Sequence, residues 1–267
     1  MLSDDDIRAA GAALYQAEAE CSQIGHLTTR HPEMTIDDSY RVQSEFLRLK
    51  EAAGERQTGW KIGLTSRAMQ AALNIETPDS GVLFDTMCFE DGAHIPKGRF
   101  IQPRIEAELA FVLHSELSSP ETTFLDVLRA TEYVVPALEI LDTRIERVCR
   151  ETGKTRTVFD TISDNAANAG YLLGGTAARP EAIDLRRAGA VVSRDAVVEE
   201  TGLGAGVLGN PAQGVAWLVR RLAGLGQSIR PGEVVLSGSF IRPIETAAGT
   251  TITADYGPLG TLQCHFD

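Results

Sequence analysis

The chain has 267 residues, of which 43% are hydrophobic and 23% charged, and a formal net charge of −12. Length and composition fit one large globular unit, or one with a small appended lobe, and exclude disordered and collagen-like chains. The acidic balance repels phosphate backbones and anionic bilayers, so neither nucleic acid nor membrane is an expected partner.

No run approaches the roughly 20 apolar residues of a membrane span. The start MLSDDDIRAA lacks the basic-then-apolar order of a signal peptide, so a cytoplasmic protein is expected. Cys21, Cys88, Cys149 and Cys264 are scattered with no CxxC pair, which predicts reduced structural thiols and no zinc knuckle.

The first 57 residues predict a helical segment. Ile7 and Leu14 form an apolar stripe after the acidic Ser3-Asp4-Asp5, a helix start. A second helix is predicted from Thr35, with Asp38 three residues on as an acidic capping box and Tyr40, Gln43, Phe46, Leu47 and Lys50 at helical spacing. From residue 58 to 267 short β-type runs alternate with Gly/Pro turns. TGWKIGL (58–64), RIEAELAFVL (104–113) and YVVPALEIL (133–141) read as strands, with Pro136 suggesting an edge or a bulge in the last. AGAVVSRDAVVEE (188–200) reads as a hairpin turning at Arg194-Asp195. EVVLSGSF (233–240), TTITADY (250–256) and TLQCHF (261–266) close the set. One C-terminal helix is signalled by Asn210 as cap, Pro211 at the first position, an apolar face of Val215, Leu218, Val219 and Leu222, and Gly224 or Gly226 at its end. Strands with few helices between them predict an α+β fold and argue against a doubly wound one, and no GxGxxG follows a strand.

Glu106 and Glu108 interrupt the most apolar strand. Residues two apart share a face, about 6.5–7 Å along the strand, so both acids face away from Ile105, Ala107, Leu109 and Phe111. Glu139 is a lone acid in the apolar run VVPALEIL. Buried like charges repel and lose solvation, and a hard divalent cation relieves both; three carboxylates without a nearby His/Cys cluster favour Mg²⁺ or Mn²⁺ over Zn²⁺. A solvated strand face explains Glu106 and Glu108 equally well.

Lys61 lies in a glycine-flanked apolar strand, as a surface residue or as a desolvated catalytic group, and Gly63 leaves room for a ligand near the backbone. By composition Pro78-Asp79-Ser80-Gly81 reads as a turn, with Asp79 a turn former or a general base. FDTISDNAANAG (159–170), dense in small polar groups that include Asp164 and Asn165, reads as a loop. Gly238 and Ser239 in LSGSF could cradle a carboxylate with free amides. No Ser or Cys nucleophile motif is present.

KIGLTSRAMQ (61–70), PDSGVLFD (78–85), RFIQPRIEAELAFVL (99–113), VVPALEILDTRI (134–145), VFDTISDNAANAG (158–170), AGVLGNPAQGVAWL (205–218) and GSFIRPI (238–244) are collinear. Together they resemble the hydratase/decarboxylase branch of the fumarylacetoacetate hydrolase superfamily over essentially the whole chain. The resemblance implies a mixed-β core with a β-roll and an N-terminal helical segment. It implies Glu106, Glu108 and Glu139 as metal ligands for Mg²⁺ (or Mn²⁺), Lys61 and Asp79 as acid/base residues, and Asp164, Asn165, Gly238 and Ser239 around the substrate. Its implied activity is metal-dependent hydration of a 2-oxo-alkenoate in aromatic-compound breakdown, with a small 2-oxo dicarboxylate as partner. Arg104 and Arg156 are candidates for the second carboxylate. Self-association is expected, and a decarboxylase of the same fold is an expected complex partner. The competing activities are decarboxylation of a 2-oxo-enoate, hydration of the five-carbon 2-oxo-pentenoate and, lower, β-diketone hydrolysis; the non-catalytic alternative is a partner subunit. A desolvated Lys61 beside a dication is expected to have a lowered pKa.

Overall fold

The computed structural model describes residues 1–67, 70–71, 75 and 77–267. Two positions of the KIGLTSRAMQ motif, Ala68 and Met69, lie outside the described residues.

Both predicted N-terminal helices form and are capped as the sequence indicates. Ser3 and Asp6 close a capping box on α1 (Asp4–Ala19), and Thr35 and Asp38 close one on α3 (Ile36–Ala52); each satisfies two amides that the first helical turn leaves free. A short α2 (Leu27–Arg30) lies between them. Leu14, Val42 and Phe46 are fully buried where α1 packs on α3. Lys50 reaches inward to Glu18 and to Glu55, the latter at 2.9 Å.

Thirteen strands follow among the described residues, in two sheets. The larger runs β2 (Asp79–Phe84), β1 (Gln57–Gly63), β10 (Val234–Leu236), β5 (Arg104–Leu113), β6 (Thr131–Leu141), β7 (Asn168–Leu173), β3 (Cys88–Phe89), with β11 (Ile244–Glu245) also paired to β5. The smaller runs β4 (Ala93–Ile95), β13 (Thr261–Phe266), β12 (Thr251–Asp255), β8 (Gly189–Arg194), β9 (Val197–Leu203). Parallel pairs (β1 with β10, β3 with β7, β13 with β4) sit among antiparallel ones, and no regular βαβ repeat appears among the described residues. This is the expected α+β fold with a mixed β core. β8 and β9 turn through Asp195 and Ala196, both with positive φ (51° and 65°), as a two-residue hairpin requires. The C-terminal helix, here α6 (Pro211–Ala223), has Asn210 as its cap and Pro211 at its first position; α4 (Phe124–Ala130) and α5 (Val158–Ser163) are short. Among the described residues no helix is long and apolar enough to cross a membrane.

Three readings need correction. Pro136 is neither at an edge nor in a bulge: β6 lies between β5 and β7. Its partner Leu109 turns its carbonyl to the other side, accepting from Ser237 N at 3.1 Å, and β7 ends at Leu173, so the missing proline N–H falls where the ladder needs no donor. Pro78-Asp79-Ser80-Gly81 is not a turn. Asp79 begins β2 and pairs with Gly63, because the β1 register recruits these residues into the sheet despite their turn-type composition. The 159–170 stretch is not simply a loop: Thr157 and Asp160 cap α5, and the chain then turns sharply into β7.

Candidate active site

β5 and β6 pair in a register that sets Glu106 directly opposite Glu139, with Glu108 two residues along on the same face. Glu108 and Glu139 are fully buried and Glu106 partly so. A carboxylate oxygen from each lies within 4.8 Å of the others. Like charges directly opposite in a sheet repel. Burial and the neighbouring carboxylates push Glu106 up to about 8 and Glu108 well above its usual range.

Each buried acid is only half satisfied. Gly238 N donates to Glu108 Oε2 at 2.7 Å and Asn168 Nδ2 to Glu139 Oε1 at 2.7 Å. Among the described residues, Glu108 Oε1 and Glu139 Oε2 have no hydrogen-bond partner. Buried polar atoms are rarely left so. Three converging carboxylates with two orphaned oxygens are the donor set of a hard divalent cation. The residues present therefore fit a metal held by Glu106, Glu108 and Glu139. His94, His265 and Asp267 also converge, but on the outside, at the β4–β13 edge.

Lys61 enters the same site from β1. Its ammonium donates to Ala166 O at 3.0 Å and lies 3.2 Å from Glu139 Oε1. Burial alone would lower its pKa, but Glu139, Asp79, Glu106 and Glu108 outweigh burial and raise it. Asp79, on the adjacent strand, is buried with Oδ1 unpartnered. Burial and Glu139 raise it, against Lys61, Arg156 and the Gly63 amide. The two groups meet where Gly63 has no side chain: a Cβ there would stand 2.1 Å from Asp79 Oδ1 and 3.2 Å from Lys61 Nζ. The space at Gly63 is taken by the chain's own carboxylate, not left for a ligand.

The other expected residues surround this geometry. Asn165 clamps β2, accepting from Val82 N at 2.8 Å and donating to Val82 O at 3.0 Å. Asn165, Ala166 and Ala167 all have positive φ (51°, 50° and 62°), a costly run for residues with side chains, and it turns the Ala166 carbonyl onto Lys61. Asp164 is fully buried on Arg144, accepting from its Nε at 2.5 Å and its backbone N at 3.0 Å. Arg156 lies 3.6 Å from Asp164 and donates to Thr143 Oγ1 at 2.5 Å. Gly238 faces the carboxylate row through its amide, whereas the Ser239 hydroxyl donates to Ile241 O at 2.8 Å. Gln43 reaches from α3 to Ser80 O (3.0 Å) and Ile162 O (2.8 Å), tying the helical segment to β2 and α5.

Sequence reasoning missed Arg144, Asn168's bond to Glu139 and the Ala166 carbonyl. Asn168 stood in the polar-dense stretch, which is a usable signal; a backbone carbonyl leaves none.

No family model matches the chain. It is 51% identical over 253 residues, 95% of each chain, to the 2-oxo-hept-4-ene-1,7-dioate hydratase of Escherichia coli. The chain belongs to the hydratase/decarboxylase branch of the fumarylacetoacetate hydrolase superfamily. A 4-oxalocrotonate decarboxylase from Pseudomonas putida G7, solved with magnesium and adipate, superposes with a TM-score of 0.94 at 35% identity over 100% of this chain and 99% of that one. Fumarylpyruvate hydrolase from Pseudomonas aeruginosa shares the fold alone, with a TM-score of 0.61 at 14% identity over 79% of this chain and 89% of that one. This chain thus shares its backbone with a decarboxylase of the branch, and its Glu106–Glu108–Glu139 row stands on the paired strands β5 and β6.

Proposed function

We propose that the protein is a divalent-cation-dependent hydro-lyase that adds water to 2-oxohept-4-ene-1,7-dioate, through its 2-hydroxydienoate form, to give 4-hydroxy-2-oxoheptanedioate. The observation that carries this reading is the joining of three metal-type carboxylates to a buried Lys61–Asp79 pair in one site. The identity to the E. coli hydratase supports the substrate, and the magnesium of the decarboxylase structure supports Mg²⁺ as the ion.

Glu106, Glu108 and Glu139 would hold the cation, which when bound supplies Lewis-acid polarisation of the 2-oxo acid end. The chain's own groups handle the protons. One proton must reach C5 of the dienol, leaving C3=C4 conjugated to the 2-oxo group. Water must then lose a proton as its oxygen bonds to C4, and C3 must gain one. Asp79 suits the carrier: its Oδ1 is free, and burial favours its acid form. Lys61, which contacts both, orients Glu139 and the Ala166 carbonyl and stabilises negative charge developing beside it. Closed packing around Asp79 keeps bulk water from competing for its proton.

The test is a spectrophotometric assay with 2-hydroxyhepta-2,4-dienedioate, with and without Mg²⁺, and mass analysis of the product. Cation-dependent loss of the dienol with gain of one water is expected. Release of CO₂ would move the protein to decarboxylation, and no turnover in either condition would sink the reading.

A further inference from the structure

Three arginines gather beside the site in a chain that is otherwise strongly acidic. Residues 147–156 form a short hairpin: Val148 bridges Thr155, Arg156 N donates to Arg147 O at 2.9 Å, and Cys149 N donates to Lys154 O at 2.9 Å. This register sets Arg147 and Arg156 opposite one another, so their side chains leave the ribbon on the same face, with Cβ atoms about 4.5–5.5 Å apart. Two like charges in that position destabilise a ribbon unless an anion joins them. Arg104 supplies a third charge from the start of β5, on the face that carries Glu106 and Glu108.

The chain's own acids leave these cations in excess. Glu245 takes one end of Arg104 at 2.5 Å and is mostly exposed. Asp164, 3.6 Å from Arg156, is already committed to Arg144. Asp142 accepts from the amides of Ile101 and Gln102, both at 2.7 Å. Among the described residues Arg147 donates to a backbone carbonyl, Gln102 O, at 2.5 Å. Arg104 Nε is buried with no partner. Arg104 and Arg147 line a cavity of about 560 Å³ together with Phe100, Gln102, Glu245 and Thr246, while Arg156 lies behind them, outside its lining. Burial, Arg104 and Arg156 push Arg147 down to about 10, outweighing the opposite pull of Glu245 and Asp142.

We propose that Arg104, Arg147 and Arg156 form the subsite for the substrate's second carboxylate, with Arg147 selecting dicarboxylates over monocarboxylates. The inference rests on the dioate reading above. Its geometry is consistent: Arg104 is one strand repeat, about 6.5–7 Å, from Glu106. Five zigzagged single bonds of about 1.5 Å, the number separating C2 from C7 of a heptanedioate, cover a comparable length. Arg156 already acts on Asp79, so a carboxylate seated on the arginines also sets the field at the proton carrier.

The experiment is calorimetric titration of the Mg²⁺-loaded protein with adipate, a dicarboxylate, and hexanoate, its monocarboxylate counterpart, for the natural protein, Arg147→Gln and Arg147→Lys. The natural protein should favour adipate by about tenfold or more, the worth of one charge-assisted hydrogen-bonded pair. Arg147→Gln should erase most of that preference, and Arg147→Lys should restore part of it. In turnover, the ratio of kcat/KM for 2-hydroxyhepta-2,4-dienedioate to that for 2-hydroxypenta-2,4-dienoate should fall about tenfold in Arg147→Gln. An adipate preference that is absent in the natural protein, or unchanged in Arg147→Gln, overturns the subsite. A natural protein that turns over neither dienoate strikes the hydration reading, while the adipate comparison still decides the subsite.

Discussion

Gly63→Ala should silence the enzyme without dismantling it. The added Cβ would stand 2.1 Å from Asp79 Oδ1, 3.1 Å from its Cγ and 3.2 Å from Lys61 Nζ. Carbon contacts settle near about 3.5–4.0 Å, so the Asp79 carboxylate must retreat by more than about 1 Å. A displacement of about 1 Å in a reacting group costs up to about 10²-fold in rate. Overpacking costs about 1–3 kcal/mol, and replacing a strand glycine returns up to about 1 kcal/mol of it, so the variant should still fold. The proposed cation ligands sit on β5 and β6, two and three strands away from β1 across β10. Calorimetric Mg²⁺ affinity should therefore stay within about threefold, as expected for a perturbation that leaves the ligand strands in place. The expected pattern is kcat down about 100-fold, Mg²⁺ affinity kept and a small shift in Tm. A Gly63→Ala enzyme with kcat within threefold of the natural one would refute the placement of Asp79 as proton carrier.

Metal binding and stability should be linked through pH. Glu106, with a reference value of 4.5, is pushed up to about 8 by burial and by Glu139. Between those values the unfolded chain gives up the proton that the fold retains, so the stability of the metal-free protein should fall as pH rises from about 4.5 to about 8. The rise in Tm on adding Mg²⁺ should grow over the same window, because the cation binds the deprotonated carboxylates; a Tm rise that shrinks with pH in scanning fluorimetry would contradict this. Lys61→Met should cut kcat by about 10²–10⁴-fold while Mg²⁺ binds at least as tightly, since a competing cation 3.2 Å from Glu139 is gone; weaker Mg²⁺ binding would count against the charge arrangement. Arg144→Met should strand the buried Asp164 carboxylate at about 3–5 kcal/mol, a fall in Tm of about 10 °C; a fall under about 3 °C would remove Arg144 as the anchor of this segment.

The sequence exposes those parts of the molecule that follow from local chemistry. Capping boxes at Thr35–Asp38 and Ser3–Asp6, the proline start of α6 and the turn at Asp195 depend only on neighbours, and all are visible. Glu106 and Glu108 share a face because strand periodicity requires it. That Glu139 lies opposite Glu106 is a matter of register between β5 and β6, and composition carries no register. Asp79 shows the same limit from the other side. Asp-Ser-Gly resembles a turn locally, and only pairing with Gly63 makes it a strand. The sign of the Lys61 shift was equally out of reach: burial is legible in GWKIG, but the four carboxylates that outweigh it arrive from β2, β5 and β6. The left-handed run at 165–167 gives no sequence signal at two of its residues, which are alanines. It exists because Asn165 is locked to Val82, and that lock is tertiary.

The two halves of the proposed site, one for the cation and one for the protons, rest on different parts of the sheet. The cation half lies on β5 and β6, each with strands on both sides, where ladder bonds hold Glu106, Glu108 and Glu139 against their own repulsion. The proton-handling half lies on β1 and β2 at the edge of the sheet, held by side-chain clamps from Asn165 and Gln43 and by the room at Gly63. A fold so divided can keep its cation site while the edge varies. The near-identical backbone of a decarboxylase, with a TM-score of 0.94, fits this division. Loss of CO₂ and gain of water both draw on polarisation of the 2-oxo acid end, and they differ in where protons and water can go. The residues that choose between them should therefore lie on β1, β2, the 164–168 segment and the 147–156 hairpin, not among the three glutamates. Exchanging groups along that edge should change the product formed before it changes the affinity for the cation.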